Sequence, residues 1–94
     1  HGMKRIPEHD VQVYLEAVNF RHLVRGRFVR DSRDGEIRYE MPVPADGGTL
    51  TDAQLVRAIQ HAVSTWETYA PTILLLLLRK ITLREALAAL ENAA

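Results

Sequence analysis

Six apolar residues in succession, Ile73-Leu74-Leu75-Leu76-Leu77-Leu78, are the feature that any fold of this 94-residue chain must accommodate first. A run of this length falls far short of the roughly 20 residues that span a bilayer, so it is not a membrane segment. Wound into a helix, consecutive apolar side chains cover every side, and one neighbouring face cannot bury them all. Two aliphatic side chains left in water forgo roughly 3–6 kcal/mol of burial, at about 1.5–3 each. That rivals the whole net stability of a small domain. The remaining sequence must therefore supply a cover, or leave one to a partner.

The middle of the chain supplies a β-hairpin. Residues 26–31 and 36–43 flank Ser32-Arg33-Asp34-Gly35, where Asp-Gly offers the positive-φ residue that a tight reversal needs. In the second arm Ile37, Tyr39, Met41 and Val43 alternate with Glu36, Arg38, Glu40 and Pro42, a period of two with one buried face. Pro42 cannot donate to a ladder and marks an exposed edge, and residues 44–48 read as a loop. Upstream, residues 8–23 fit two patterns. Val11, Val13, Leu15 and Ala17 alternate as a strand would, whereas Val11, Tyr14, Leu15, Val18 and Phe20 share a helical face. Pro7 at a first turn, with Glu8 and Asp10 beside it, favours the helix.

Downstream, Thr51 and Gln54 form a capping box, with Leu50 placed to staple onto Leu55. The helix they open carries an apolar stripe of Leu55, Ile59, Val63 and Trp66, widened by Val56, Ala62 and Tyr69 and expected to face the core. Pro71 should end or kink it near Ala70, because the residue before proline is pushed out of the α region. A separate helix over 72–80 follows. Thr82 and Glu85 then make a second capping box, opening a last helix with Leu83, Ala86, Leu87 and Leu90. The expected fold class is α+β: an antiparallel hairpin or sheet packed with three to four helices, in one domain over 3–94. His1 and Gly2, ahead of Met3, have the look of a cloning remnant.

A two-stranded hairpin is marginal alone, and its edges stay open to pairing. It is a thin scaffold for several apolar helices. A partner surface is the simplest remedy, in a homodimer or from strands that a longer parent chain would carry, with a core helix over 72–80 packed on every side as the alternative. Phe28, Ile37, Tyr39, Met41, Trp66 and Tyr69, together with Leu74, Leu76 and Leu77, are the candidate protein-interface residues. Leu76→Asp is expected to break such an assembly.

Charge excludes some partners. Twelve Lys and Arg balance twelve Asp and Glu, so no global field attracts nucleic acid or anionic lipid. Arg21, Arg25, Arg27 and Arg30 do fall within ten residues free of acids and form a candidate anion-binding patch. They are the basis of an alternative reading as a nucleic-acid-binding regulator. Asp31, Asp34, Glu36 and Glu40 follow closely and can lie across from them.

Catalytic patterns are missing. Gly47-Gly48 lacks the Lys-Ser/Thr of a phosphate loop. His1, His9, His22 and His61 include no metal-ligand spacing, and there is no cysteine. Ser32 and Ser64 have no nucleophile-elbow context, and Asp31 and Asp34 suit turn capping better than acid–base work. No enzyme activity, cofactor or metal is expected. Absent cysteines and the lack of an apolar leader after Met3 fit a cytoplasmic protein.

Val18-Asn19-Phe20, Gly26-Arg27-Phe28 and Asp34-Gly35-Glu36-Ile37-Arg38-Tyr39 resemble successive motifs of the YbjN-like proteins, bacterial proteins described as sensory transduction regulators. The likeness continues through Leu50-Thr51, Tyr69-Ala70-Pro71 and Thr82-Leu83-Arg84-Glu85-Ala86-Leu87, covering about residues 7–91 and matching the later half of a family member. The resemblance implies a fold similar to type III secretion chaperones, which are dimers that bind extended segments of client proteins. It implies no enzymatic activity. Two positions depart from the pattern: Arg79-Lys80 replaces a helix-ending glycine, and Leu83 stands where a proline is usual. The leucine-rich helix is therefore expected to run on towards Ile81. The expected function is a non-enzymatic protein-binding module, chaperone-like or regulatory, acting as a homodimer on an unidentified client.

Overall fold

The computed structural model describes residues 6–23, 25–42 and 50–92. They form α1 (Pro7–Arg21), β1 (Arg27–Arg30), β2 (Ile37–Glu40), α2 (Asp52–Leu77) and α3 (Leu83–Asn92). The class is α+β, three helices with a two-stranded antiparallel sheet. Val43 and the expected loop over 44–48 lie outside the described residues.

The first segment is a helix, with Pro7 in its opening turn and Glu8 and Asp10 near the positive end of its dipole. Val11, Tyr14, Leu15 and Val18 fall at helical spacing on one side and are all buried. Phe20, assigned to the same face by periodicity, instead points to solvent with 86% of its surface exposed. It lies two residues past Val18, on the far side of the turn. The core also takes Phe28, Ile73 and Leu76, with Ala86 and Leu90 from α3.

The hairpin turns as the sequence predicts. Asp31 N–H donates to the Glu36 carbonyl at 2.8 Å, and Gly35 N–H to the Asp31 carbonyl at 2.7 Å. Gly35 at φ +79 makes this a G1 bulge. Asp31 also accepts from the Arg33 amide (2.9 Å) and guanidinium (2.8 Å), which holds its carboxyl below the usual carboxylate range. Pairing runs Arg27 to Glu40, Phe28 to Tyr39, Val29 to Arg38 and Arg30 to Ile37. Gly26, at φ +76, is needed for a second reason. A Cβ there would meet the Tyr39 ring and stand 2.8 Å from the Glu40 carbonyl.

Both capping boxes form. Gln54 N–H donates to Thr51 Oγ1 (3.1 Å) and Thr51 N–H to Gln54 Oε1 (2.9 Å); Thr82 and Glu85 repeat the exchange at 3.1 and 2.8 Å.

Pro71 does not divide the helix. α2 runs through it without interruption for 26 residues. The proline forfeits one bond to the carbonyl four residues back. Beyond it, Ile73 and Leu76 are buried against the rest of the core, and that packing holds the last turns helical. The helix does not continue to Ile81 either. Lys80 N–H bonds the Leu75 carbonyl (2.8 Å) and Arg79 N–H the Leu76 carbonyl (3.1 Å), with Arg79 left-handed at φ +57. This is a Schellman closure built on arginine where glycine is the usual occupant.

Candidate functional site

The surface that stands out is a strip along α2. Of its residues only Thr65, Ile73 and Leu76 are buried, so Asp52 to Ser64 contain none. Leu55, Val56, Ile59 and Val63 each leave about half their surface in water. They were expected to face the core. The hairpin meets a different face of α2: its aromatic contacts fall at His61, Trp66 and Tyr69, and Met41 and Pro42 line a cleft with Gln54, Arg57 and Ala58. Leu50 and Leu55, expected to staple together, are both exposed.

Val56, Ile59, Val63, Trp66, Ala70, Ile73 and Leu77 follow one another at alternating steps of three and four, the spacing of a heptad seam. The seam drifts from open water at Val56 to the core at Ile73. That spacing is legible in the sequence and marks a helix surface suited to contact along its length. Contiguous exposed apolar surface of this kind is characteristic of interaction sites.

The other interface candidates divide. Phe28 and Leu76, at 3% and 2% exposure, belong to the core and present nothing to a partner. Leu76→Asp would therefore unfold the chain rather than report on assembly. Leu74 and Leu77 are exposed. Ile37, Tyr39, Met41, Trp66 and Tyr69 are half-buried. Phe28 sits among three of these rings, 5.3 Å from Tyr39, 5.1 Å from Trp66 and 5.9 Å from Tyr69, at the tilted and edge-on angles that aromatic pairs favour.

One residue that periodicity passed over organises the hairpin. Asn19 on α1 donates from Nδ2 to the Phe28 carbonyl at 2.8 Å and accepts the Phe28 N–H on Oδ1 at 2.7 Å. Its amide takes the place that a neighbouring strand would fill on the outer edge of β1.

The arginine patch is not a single surface. Arg21 pairs with Glu91 of α3 at 2.9 Å and Arg27 with Glu40 across the hairpin at 3.3 Å. Among the described residues no carboxylate lies within ion-pair distance of Arg25 or Arg30. Arg25 instead lines an open cleft of about 320 Å³ with Met41, Pro42, Gln54, Arg57 and His61. The groups whose pKa values are displaced, namely Tyr14, Asp31, Arg33 and Tyr69, do not line this cleft. Burial pushes the Tyr14 and Tyr69 phenols up, and the Asp31 bond holds Arg33 up. Among the described residues no three His, Asp or Glu side chains cluster as metal ligands, and no helix is long and apolar enough to cross a membrane.

No family model matches the chain, and neither a curated protein nor a solved structure matches it.

Proposed function

We propose that this chain is a non-enzymatic protein-binding module, chaperone-like or regulatory, which acts as a homodimer and holds its client on the exposed strip of α2. The observation that supports the reading is the strip itself. Four half-exposed aliphatic side chains, Leu55, Val56, Ile59 and Val63, continue through Leu74 and Leu77 on one helix. Covering the open half of each is worth about 0.75–1.5 kcal/mol, half the value for full burial. Kinship with the YbjN-like proteins, and a type III secretion chaperone-like fold, belong to the same proposal and rest on the order and spacing of the motifs. The nucleic-acid alternative loses support from the ion pairs that occupy Arg21 and Arg27.

The test is retention of polypeptides on the immobilised chain, compared with an Ile59→Asp/Val63→Asp variant. Both positions are exposed, so the variant should melt within about 0.5 kcal/mol of the parent, as surface substitutions do. Polypeptides held by the parent should be lost from the variant. An identical retained set, or none from either protein, would sink the proposal.

A further inference from the structure

The hairpin has two outer edges, and among the described residues only one is closed. The bulge fixes the phase of the ladder: Asp31 and Glu36 share a bond, so Val29 with Arg38 and Arg27 with Glu40 are the bonded pairs. Phe28 and Arg30 therefore turn their N–H and C=O groups away from β2. Ile37 and Tyr39 turn theirs away from β1. On the β1 side Asn19 takes up both groups of Phe28, which independently confirms the phase. On the β2 side, among the described residues, no hydrogen bond reaches the outward amides and carbonyls of Ile37 and Tyr39. Pro42 does not block this edge. It falls at a position whose N–H would face β1.

We infer that β2 pairs antiparallel with β2 of a second copy of this chain, across a two-fold axis through Tyr39, to complete a four-stranded sheet. The inference rests on the homodimer part of the proposed function and names its joint. The charges on β2 and its turn together select the register. Bonded partners across the new edge must both be odd-numbered positions, which leaves three symmetric ways to pair Ile37 and Tyr39; a further shift, Tyr39 opposite Met41, would set Glu40 against Glu40. Placing Ile37 opposite Tyr39 of the second copy sets Arg38 against Arg38, a like-charge contact. Placing Ile37 opposite itself brings the left-handed turn residue Gly35 against Tyr39 and cuts the ladder short. Placing Tyr39 opposite itself sets Arg38 against Glu40 twice and Ile37 against Met41 twice. Each cross-strand contact is then opposite-charge or apolar. Arg38, Glu36 and Glu40 are about half exposed and pair within the hairpin, Arg38 with Glu36 and Glu40, and Glu40 with Arg27, so a second copy would share these solvent-facing charges rather than meet free ones. Alternating charges on a free edge normally discourage association. Here they disfavour the register that sets Arg38 against Arg38, while the left-handed Gly35 disfavours the one that would set Glu36 against Arg38. The contact is isologous and closes at two copies, which avoids a filament.

The chain contains no cysteine, so disulfide trapping can read the register directly. Arg38 and the Glu40 opposite it would be a non-bonded pair with Cα atoms about 4.5 Å apart, inside the range a disulfide bridges. Arg38 and Arg38 would be two positions out of register, beyond the ~7 Å limit. Arg38→Cys and Glu40→Cys are prepared separately, mixed and air-oxidised, with parent mass measured by light scattering. The mixture should trap up to about half the protein as reducible dimer, the mixed share of random two-fold pairing, while each variant alone stays untrapped. A mixed pair keeps one Arg38–Glu40 contact intact, so the joint is weakened but not removed. Trapping of Arg38→Cys alone, or equal trapping in all three samples, overturns the register. A dimeric parent that traps in none of them overturns the strand joint while leaving the homodimer standing. A parent that stays monomeric overturns both, and leaves the edge to an extended segment of another protein.

Discussion

Asn19 carries more of this fold than its size suggests. Its one side-chain amide satisfies two backbone groups of Phe28, the residue at the centre of the aromatic cluster. Truncation leaves a part-buried donor and acceptor unpaired, so Asn19→Ala should cost about 2 kcal/mol, within the range for unsatisfied buried groups. Urea denaturation measures this, and Asn19→Asp, which keeps only the acceptor, should fall between. A loss under ~0.5 kcal/mol would mean that water replaces the amide at no cost. Residue spacing could not reveal this role. Asn19 flanks the buried stripe of α1, and its partner lies nine positions away across a turn.

At the scale of elements, what was legible in the sequence is what is settled within a few residues. The Asp34-Gly35 reversal and the Thr51/Gln54 and Thr82/Glu85 boxes formed because their bonds close locally. Pro71 misleads for the opposite reason. Its local preference is outweighed by the burial of Ile73 and Leu76 beyond it, and that burial is a tertiary fact. The same holds for the leucine run: six apolar residues give no sign of which two will be buried. If Pro71 is simply tolerated, Pro71→Ala should restore a helix bond and raise stability by about 1–3 kcal/mol, up to the difference in helix propensity. A urea midpoint that stays put or falls would show instead that proline sets a bend on which the packing of Ile73 and Leu76 depends.

As a whole the molecule is long, 58 by 33 by 19 Å, and its core is gathered where α1 meets the end of α2 and α3. Tyr14 lies inside that core and its phenol pKa is raised, first by burial and then by Tyr69, with a Thr72 hydrogen bond opposing. A phenol whose pKa is higher folded than unfolded contributes stability that is complete below its unfolded value of ~10 and is lost as pH rises through the folded one. Melting temperature should therefore hold up to about pH 10, the ordinary tyrosine value, and fall as pH rises above it, less steeply in Tyr14→Phe. Parallel curves for the two proteins would assign the loss to other groups. The off-centre core has one further consequence for α2, whose first thirteen residues beyond the cap include nothing buried. Amide protons there are sheltered by the helix alone and can exchange with solvent through fraying. Those from Ile73 onward wait for the core to open. One unbroken helix thus has two lifetimes, and its short-lived half is the one that presents aliphatic side chains to whatever arrives.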